Sequence, residues 1–315
     1  MIAERRISDC GLQSCCPESA IRNPPLRIFA MTPADKLAAA RARARFAAEV
    51  VQPDEAVNLA RAALLVGEEE EPRRFDLEGC LARLEEMGVE ARERVRGAEV
   101  SAVEALNGYL FGAQGFAGND SDYYDPRNSM LHQVLARRTG IPITLSILYM
   151  EVGRRAGLRV EGVGLPGHFI VRAWGDADAG DGVLVDPFNR RVTDREECQS
   201  RLDVIYDGRL ALREEHLRPV GVRSILARVL GNLKAVYIQA QLFRRALSAV
   251  ERILLLTPHD LDERRDRGML LAQLDRFNEA VAETQTYLNL SPEAPDAEAV
   301  REQLKKMRLR QAMLN

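Results

Sequence analysis

Four pairs of residues near the end of the chain share one spacing. Phe243 and Phe277, Ala246 and Ala280, Leu256 and Leu290, and Pro258 and Pro292 each lie 34 residues apart. That is the period of the tetratricopeptide helix–turn–helix unit. One such unit cannot hide its apolar face alone, so residues 220–315 are expected to fold as an all-α array of stacked hairpins. Leu233 and Tyr237 fall where the unit places its Leu and its aromatic. In the second unit Arg267 stands at the Leu position, while Gly268 and Ala280 keep the small-residue places. Two units fall short of the three that such arrays usually need. The spacing therefore predicts packing on the preceding domain or on a capping helix from Pro295 to Met313. Arrays of this kind present peptide-binding surfaces, so a protein or peptide partner is expected through 220–315.

Residues 100–219 follow a different pattern. "GIPITLSILYMEVGRRAG" reads as one helix, with Pro142 in its first turn and Gly157 at its end. Leu145, Leu148 and Val152 share a face. "RVEGVGL", "HFIVRAW" and "GVLVDPF" read as short Val-rich strands, separated by Pro166-Gly167 and "GDADAGDG". Helices followed by a small antiparallel sheet make an α+β domain. Residues 32–99 read as helical scaffold. There "DEAVNLARAALLV" is expected to start after Pro53-Asp54 and to end before Gly67. Residues 1–31 are polar, rich in Pro and Cys, and lack the apolar core of a signal peptide. They read as a disordered extension, with Met31 as a candidate start.

Composition excludes several function classes. The 315 residues carry 44 basic and 47 acidic side chains, a net charge of -3. No basic stripe interleaved with aromatics appears, so no nucleic-acid partner is expected. No segment reaches the roughly 18 apolar residues of a membrane span, so no membrane partner is expected either. Of five cysteines, Cys10, Cys15 and Cys16 lie in the extension, and Cys80 and Cys198 are isolated. No ligand set for zinc emerges, and no metal or cofactor is expected. Few, scattered cysteines suit a reducing cytoplasm.

The residues with chemistry lie in the middle domain. His168 opens a strand after a Pro-Gly turn, and Asp186 closes another before Pro187. In an antiparallel pair the two would meet, and the carboxylate would orient the imidazole. Each also has a plain structural reading, as a turn histidine bonded to backbone and as an aspartate capping its own turn. The loop "GNDSDYYDPRNS" holds Asp122, Tyr123, Tyr124, Asp125, Arg127, Asn128 and Ser129. It reads either as a polar plug holding the next helix on the sheet or as the wall of a cleft beside His168. Asn128 or Ser129 suits the cap of the following helix. Arg137-Arg138 and Arg154-Arg155 read as surface pairs.

"LNGYLF" (Leu106 to Phe111), the block from Gly115 to Trp174, and "LVDPF" (Leu184 to Phe188) resemble the SirB-type transglutaminase-like family, over roughly residues 50–290. The resemblance implies a papain-like, transglutaminase-like core followed by tetratricopeptide-like repeats. In active enzymes of that kind a Cys at the start of the central helix precedes a His and an Asp along the chain. His168 and Asp186 match the second and third members. The first place, at the start of the helix from Pro142, holds Ile143 and Thr144, with Ser146 just beyond. A helix N-terminus helps to form a thiolate, but a hydroxyl needs a base within hydrogen-bond reach. Thr144 also reads as a residue bonding a free backbone N–H, and Ser146 as a small packing residue. Two functions follow. One is a non-catalytic module acting through its cleft and its repeats. The other is a hydrolase or acyl/amide transferase using His168 and Asp186, with Thr144, Ser146 or an activated water as nucleophile.

Overall fold

The computed structural model describes residues 32–72, 75–175 and 180–314. The expected extension 1–31 lies outside the described residues. The chain divides into two compact units, Met1–Ile225 and Leu226–Asn315.

The first unit begins with three helices, each capped by a side chain. α1 (Pro33–Val50) starts with a capping box between Thr32 and Asp35. α2 (Leu59–Glu70) is capped by Asn58, and α3 (Leu77–Arg96) by Asp76. The start expected at Asp54 is not the helix start. Its carboxylate instead accepts the backbone N–H groups of Val222 and Arg223, at 2.9 and 2.8 Å. Nor does Gly67 end α2. A Cβ there would lie 2.3 Å from His132 Nδ1, so the glycine permits close approach by a neighbouring side chain.

α4 (Ala102–Asn107) follows, then a two-residue strand β1 (Ala117–Gly118), α5 (Leu131–Arg137) and β2 (Thr139–Gly140). β1 and β2 pair in parallel and tie the polar loop to the entry of the central helix. That helix is α6 (Pro142–Ala156), bounded as the sequence predicts, with Gly157 left-handed at φ 100°. Leu145, Leu148 and Val152 share a face as read, and burial extends well beyond that face: every residue but Arg154 and Arg155 is buried. The reason is position: α3 packs against it, and so do β3 (Arg159–Val163) and β4 (Ile170–Trp174). β5 (Val183–Asp186) and β6 (Arg191–Thr193) complete a four-stranded antiparallel sheet in chain order. β6, three residues long, carries too little pattern to be read from sequence. α7 (Arg195–Tyr206) follows it, capped by Asp194.

α8 (Val222–Gln239) leads into the second unit. There the 34-residue spacing becomes structure. α9 (Phe243–Leu256) and α11 (Phe277–Leu290) both begin on the repeated Phe and end on the repeated Leu. α10 (Leu261–Gln273) packs against both, and α12 (Ala297–Leu314) packs on α11. Ala297, Val300 and Leu304 of α12 cover Tyr287 and Leu288, as a capping helix should. Arg267, at the Leu position, bridges Glu283 at 2.5 Å and Glu251 at 3.7 Å, so an ion-pair link replaces an apolar contact. Among the described residues no helix is long and apolar enough to cross a membrane.

Two glycines of the array respond oppositely to a side chain. A Cβ on Gly268 would lie 2.5 Å from Thr284 Oγ1 and 3.3 Å from Thr284 N, whereas one on Gly231 would meet nothing within 4 Å. Gly268→Val is expected to lower stability by about 2 kcal/mol through overpacking. Gly231→Ala is expected to raise it by about 0.5–1 kcal/mol through helix propensity. Urea denaturation of both variants measures the contrast.

Candidate functional site

The register of the sheet brings the two candidate residues together. Val171 of β4 lies opposite Val185 of β5, so Asp186 sits beside the entry to β4. The chain enters β4 through the Pro166-Gly167 turn, where Gly167 is left-handed at φ 72°. His168 N donates to Leu165 O at 3.1 Å. His168 Nε2 then donates to Asp186 Oδ2 at 2.9 Å, the tautomer following from an ionised, acceptor-only carboxylate. His168 is 2% exposed and Asp186 3%.

Asp186 is more than an orienting partner. Its Oδ2 also accepts from Asn189 Nδ2 at 2.7 Å and from Arg201 at 3.2 Å. Its Oδ1 accepts from the backbone N–H groups of Phe188 and Asn189, both at 3.1 Å. Both sequence readings of Asp186 thus hold at once: it bonds the imidazole and it caps its own turn. Burial alone would push its carboxyl up. The hydrogen bond and electrostatic attraction of His168 and the two bonds from Asn189 overcome this and hold it well below the usual carboxylate range. Sequence reasoning missed Asn189 and Arg201. Asn189 had a signal, since Asp-Pro-x-Asn is a side-chain-bonded turn. Arg201 had none, because tertiary packing of α7 delivers it.

The hydroxyls at the start of α6 are placed differently. Thr144, 1% exposed, donates to Asn128 O at 2.6 Å and accepts from Ile141 N at 3.2 Å. Its hydroxyl therefore joins the polar loop to the helix entry. Ser146 is fully buried, and its Oγ has no hydrogen-bond partner among the described residues. Cys80 and Cys198, both free thiols, lie in α3 and α7, away from this helix start in the chain.

The loop is organised around Asn128 and Asp125. Asn128 does not cap α5, whose cap position is Met130. Its amide instead donates to Asp122 O at 2.7 Å and Tyr123 O at 3.2 Å, and its carbonyl accepts from Asn119 at 3.1 Å. Ser129 is buried beside it. Asp125 caps the short turn Pro126–Ser129 and pairs with Arg127 at 2.6 Å and Arg137 at 3.4 Å. Arg137 is thus drawn inward and is not a simple surface residue. Arg154 and Arg155 likewise both pair with the buried Glu151.

A chain of aromatic rings begins beside the histidine. Phe188 stands edge-on to His168, ring centroids 6.4 Å apart. Phe188 meets Tyr123 at 6.1 Å, and Tyr123 meets Tyr124 at 5.4 Å. Asp122, Asp125 and Arg127 line an open pocket of about 600 Å³, together with Gly118, Asn119 and Arg137; His168 and Asp186 do not. Burial, and then the charge of Asp125, push the Asp122 carboxyl up. Among the described residues no group of three or more His, Cys, Asp or Glu is arranged to hold a metal ion.

Known proteins resemble this chain in sequence. Residues 78–231 match the transglutaminase-like superfamily, and residues 233–305 match the tetratricopeptide repeat. A UPF0162 protein of Xylella fastidiosa is 38% identical over 260 residues, covering 79% of this chain and 89% of its own length. Protein SirB1 of Salmonella typhimurium is 26% identical over 217 residues, 68% of this chain and 78% of its own. F-box only protein 21 of Mus musculus is 34% identical over 137 residues, 42% of this chain and 21% of its own. No solved structure matches. The chain belongs to the UPF0162/SirB1 family, with a transglutaminase-like domain followed by tetratricopeptide repeats.

Removing the carboxylate at residue 186 leaves buried donors without an acceptor. Asp186→Ala is expected to lower stability by about 3–5 kcal/mol. The group's folded pKa is depressed, so its contribution is complete above its unfolded value near pH 4 and shrinks as pH falls below that. Chemical denaturation of wild type and Asp186→Asn should give a constant difference from pH 7 to 5, narrowing below about pH 4.

Proposed function

We propose that this protein is a non-catalytic binding module, in which the His168–Asp186 pair holds the sheet together and the repeats receive a protein partner. The observation that carries this reading is the Thr144 hydroxyl, bonded to Asn128 O at 2.6 Å at the helix start where a thiol would stand. A nucleophile must hand its proton to a base, whereas this hydroxyl donates its hydrogen bond to a backbone carbonyl. The burial of His168 and the Phe188 ring beside it weigh the same way. The partial match to F-box only protein 21, where the shared stretch is a fifth of a longer chain, suits a module carried in different architectures. The proposed division is a helical region over 32–99, the transglutaminase-like domain over 100–219 and partner-binding repeats over 220–315. Among the described residues the free thiols Cys80 and Cys198 fit a cytoplasmic setting.

One observation favours the second reading, a hydrolase or acyl/amide transferase. Ser146 keeps an unpartnered hydroxyl on the same helix that should carry the nucleophile, and the His168–Asp186 bond is intact. The two readings part under substitution. His168→Ala is expected to lower stability by about 2–4 kcal/mol, since it truncates a buried partner of a carboxylate. Ser146→Ala is expected to be neutral or to stabilise by up to about 1 kcal/mol, since it removes a buried hydroxyl without a partner. Amidase, esterase and transamidase assays on wild type, His168→Ala and Ser146→Ala are expected to show no difference among the three. A wild-type activity that disappears in either folded variant contradicts the binding reading.

A further inference from the structure

The polar loop sets opposite charges side by side without pairing all of them. Asp122, Asp125, Arg127 and Arg137 line one open pocket of about 600 Å³, within the roughly 300–1,000 Å³ range of small-molecule sites. Asp125 is fully committed. It is 5% exposed, both its oxygens accept from Arg127, and Arg137 stands at 3.4 Å. Arg127 uses Nε and Nη2 for that pair. Its Nη1 makes no hydrogen bond or ion pair among the described residues, and the residue is exposed. The Asp122 carboxylate, partly buried, likewise makes no hydrogen bond or ion pair among the described residues. Burial, and then the charge of Asp125, push that carboxyl up, while Arg127 and Arg137 pull against them, so both arginines stand near it. Guanidinium groups and a carboxylate thus share a pocket without closing on one another.

Buried amides hold this loop in shape. Asn119 Oδ1 accepts from Asp122 N and from Ser121 Oγ, both at 3.1 Å, and Asn128 donates to Asp122 O at 2.7 Å. The two amides are bonded to each other at 3.1 Å. The backbone carrying Asp122 is therefore fixed before any ligand arrives, and binding need not order it.

The lining narrows the ligand. Asp120, Asp122 and Asp125 stand against Arg127 and Arg137. An anion alone would meet the repulsion of Asp120 and Asp122. A cation alone would meet the uncommitted edge of Arg127. An apolar ligand would bury Asp122 further without a partner, which is costly. A ligand with both signs close together suits both sides. Its carboxylate accepts from the guanidinium groups in fork geometry. Its ammonium donates to Asp122 and offsets the repulsion from Asp125. In an α-amino acid these two groups sit on one carbon.

We propose that this pocket binds a free α-amino acid, with its carboxylate on Arg127 and Arg137 and its ammonium on Asp122. The site goes beyond partner binding by the repeats and does not rest on it, since neither the repeats nor His168 line the pocket.

The experiment uses the full-length protein. The common L-amino acids are screened singly by thermal shift, and each hit is titrated by calorimetry. At least one is expected to raise Tm progressively with concentration and to bind once per chain. Its N-acetyl derivative, which lacks the cation, and its carboxamide, which lacks the anion, should each bind at least tenfold more weakly. Asp122→Asn removes a charge but no hydrogen bond of the folded protein, so the fold is expected to stand. It should weaken the amino acid at least tenfold and leave the N-acetyl derivative no weaker. Arg127→Gln should weaken the amino acid at least tenfold and leave the carboxamide no weaker. Circular dichroism checks that variant, and if it does not fold, Asp122→Asn decides alone. No binding of any amino acid overturns the proposal. So does an N-acetyl derivative or a carboxamide that binds as tightly as its parent, which would mark a site for one sign only. Amino-acid binding that Asp122→Asn leaves unchanged overturns it as well, because the ligand would then sit elsewhere.

Discussion

One buried carboxylate holds the middle of this protein together. Asp186 accepts from His168, twice from Asn189, from the Phe188 N–H and from Arg201. These donors come from the entry to β4, the turn after β5, and α7. A carboxylate in low dielectric is tolerated only when so surrounded. The surroundings also fix the rest. Arg201 ties α7 to the sheet, the turn after β5 holds Phe188 in place, and Phe188 stands against both His168 and Tyr123. Through Tyr123 the same frame reaches the polar loop, whose Asn128 carbonyl holds the Thr144 hydroxyl at the entry to α6.

The same geometry bears on chemistry. A His–Asp pair at 2.9 Å is what a base for proton transfer requires, and nothing in that pair by itself tells enzyme from scaffold. The difference lies in what faces the pair. Thr144 turns its proton to a carbonyl, Ser146 is buried without a hydrogen-bond partner among the described residues, and the Phe188 ring stands edge-on to the imidazole. An open pocket lies on the loop, among Asp122, Asp125 and Arg127. In the account proposed here, a constellation that elsewhere moves protons serves here as a clamp, and the work of binding a protein partner falls to the repeats.

How much of this was legible depended on distance along the chain. The 34-residue period placed α9 and α11 because both their signals are local and repeated. Pro142 and Gly157 bounded α6 for the same reason. The meeting of His168 and Asp186 was readable because two strands so close in the chain leave little choice of register. Local rules failed where a distant group competed for the same atoms. Asp54 looked like a cap for α2 but caps residues 222 and 223 instead. Gly67 looked like a stop but makes room for His132. Asn128 looked like a cap for α5 but is taken by Asp122, Tyr123 and Asn119. Arg201 lies fifteen residues from Asp186 in sequence, and only the packing of α7 brings it there.

The central claim is that His168 is sealed into the structure and does not face a substrate. Diethylpyrocarbonate labelling, read at each of the four histidines by mass spectrometry, tests this directly. His259 is exposed and serves as the internal reference. The account predicts that native His168 is labelled slower than His259 by about two orders of magnitude or more, at the rate at which the domain opens. Labelling of His168 at a rate near that of His259, in the folded protein, would contradict it.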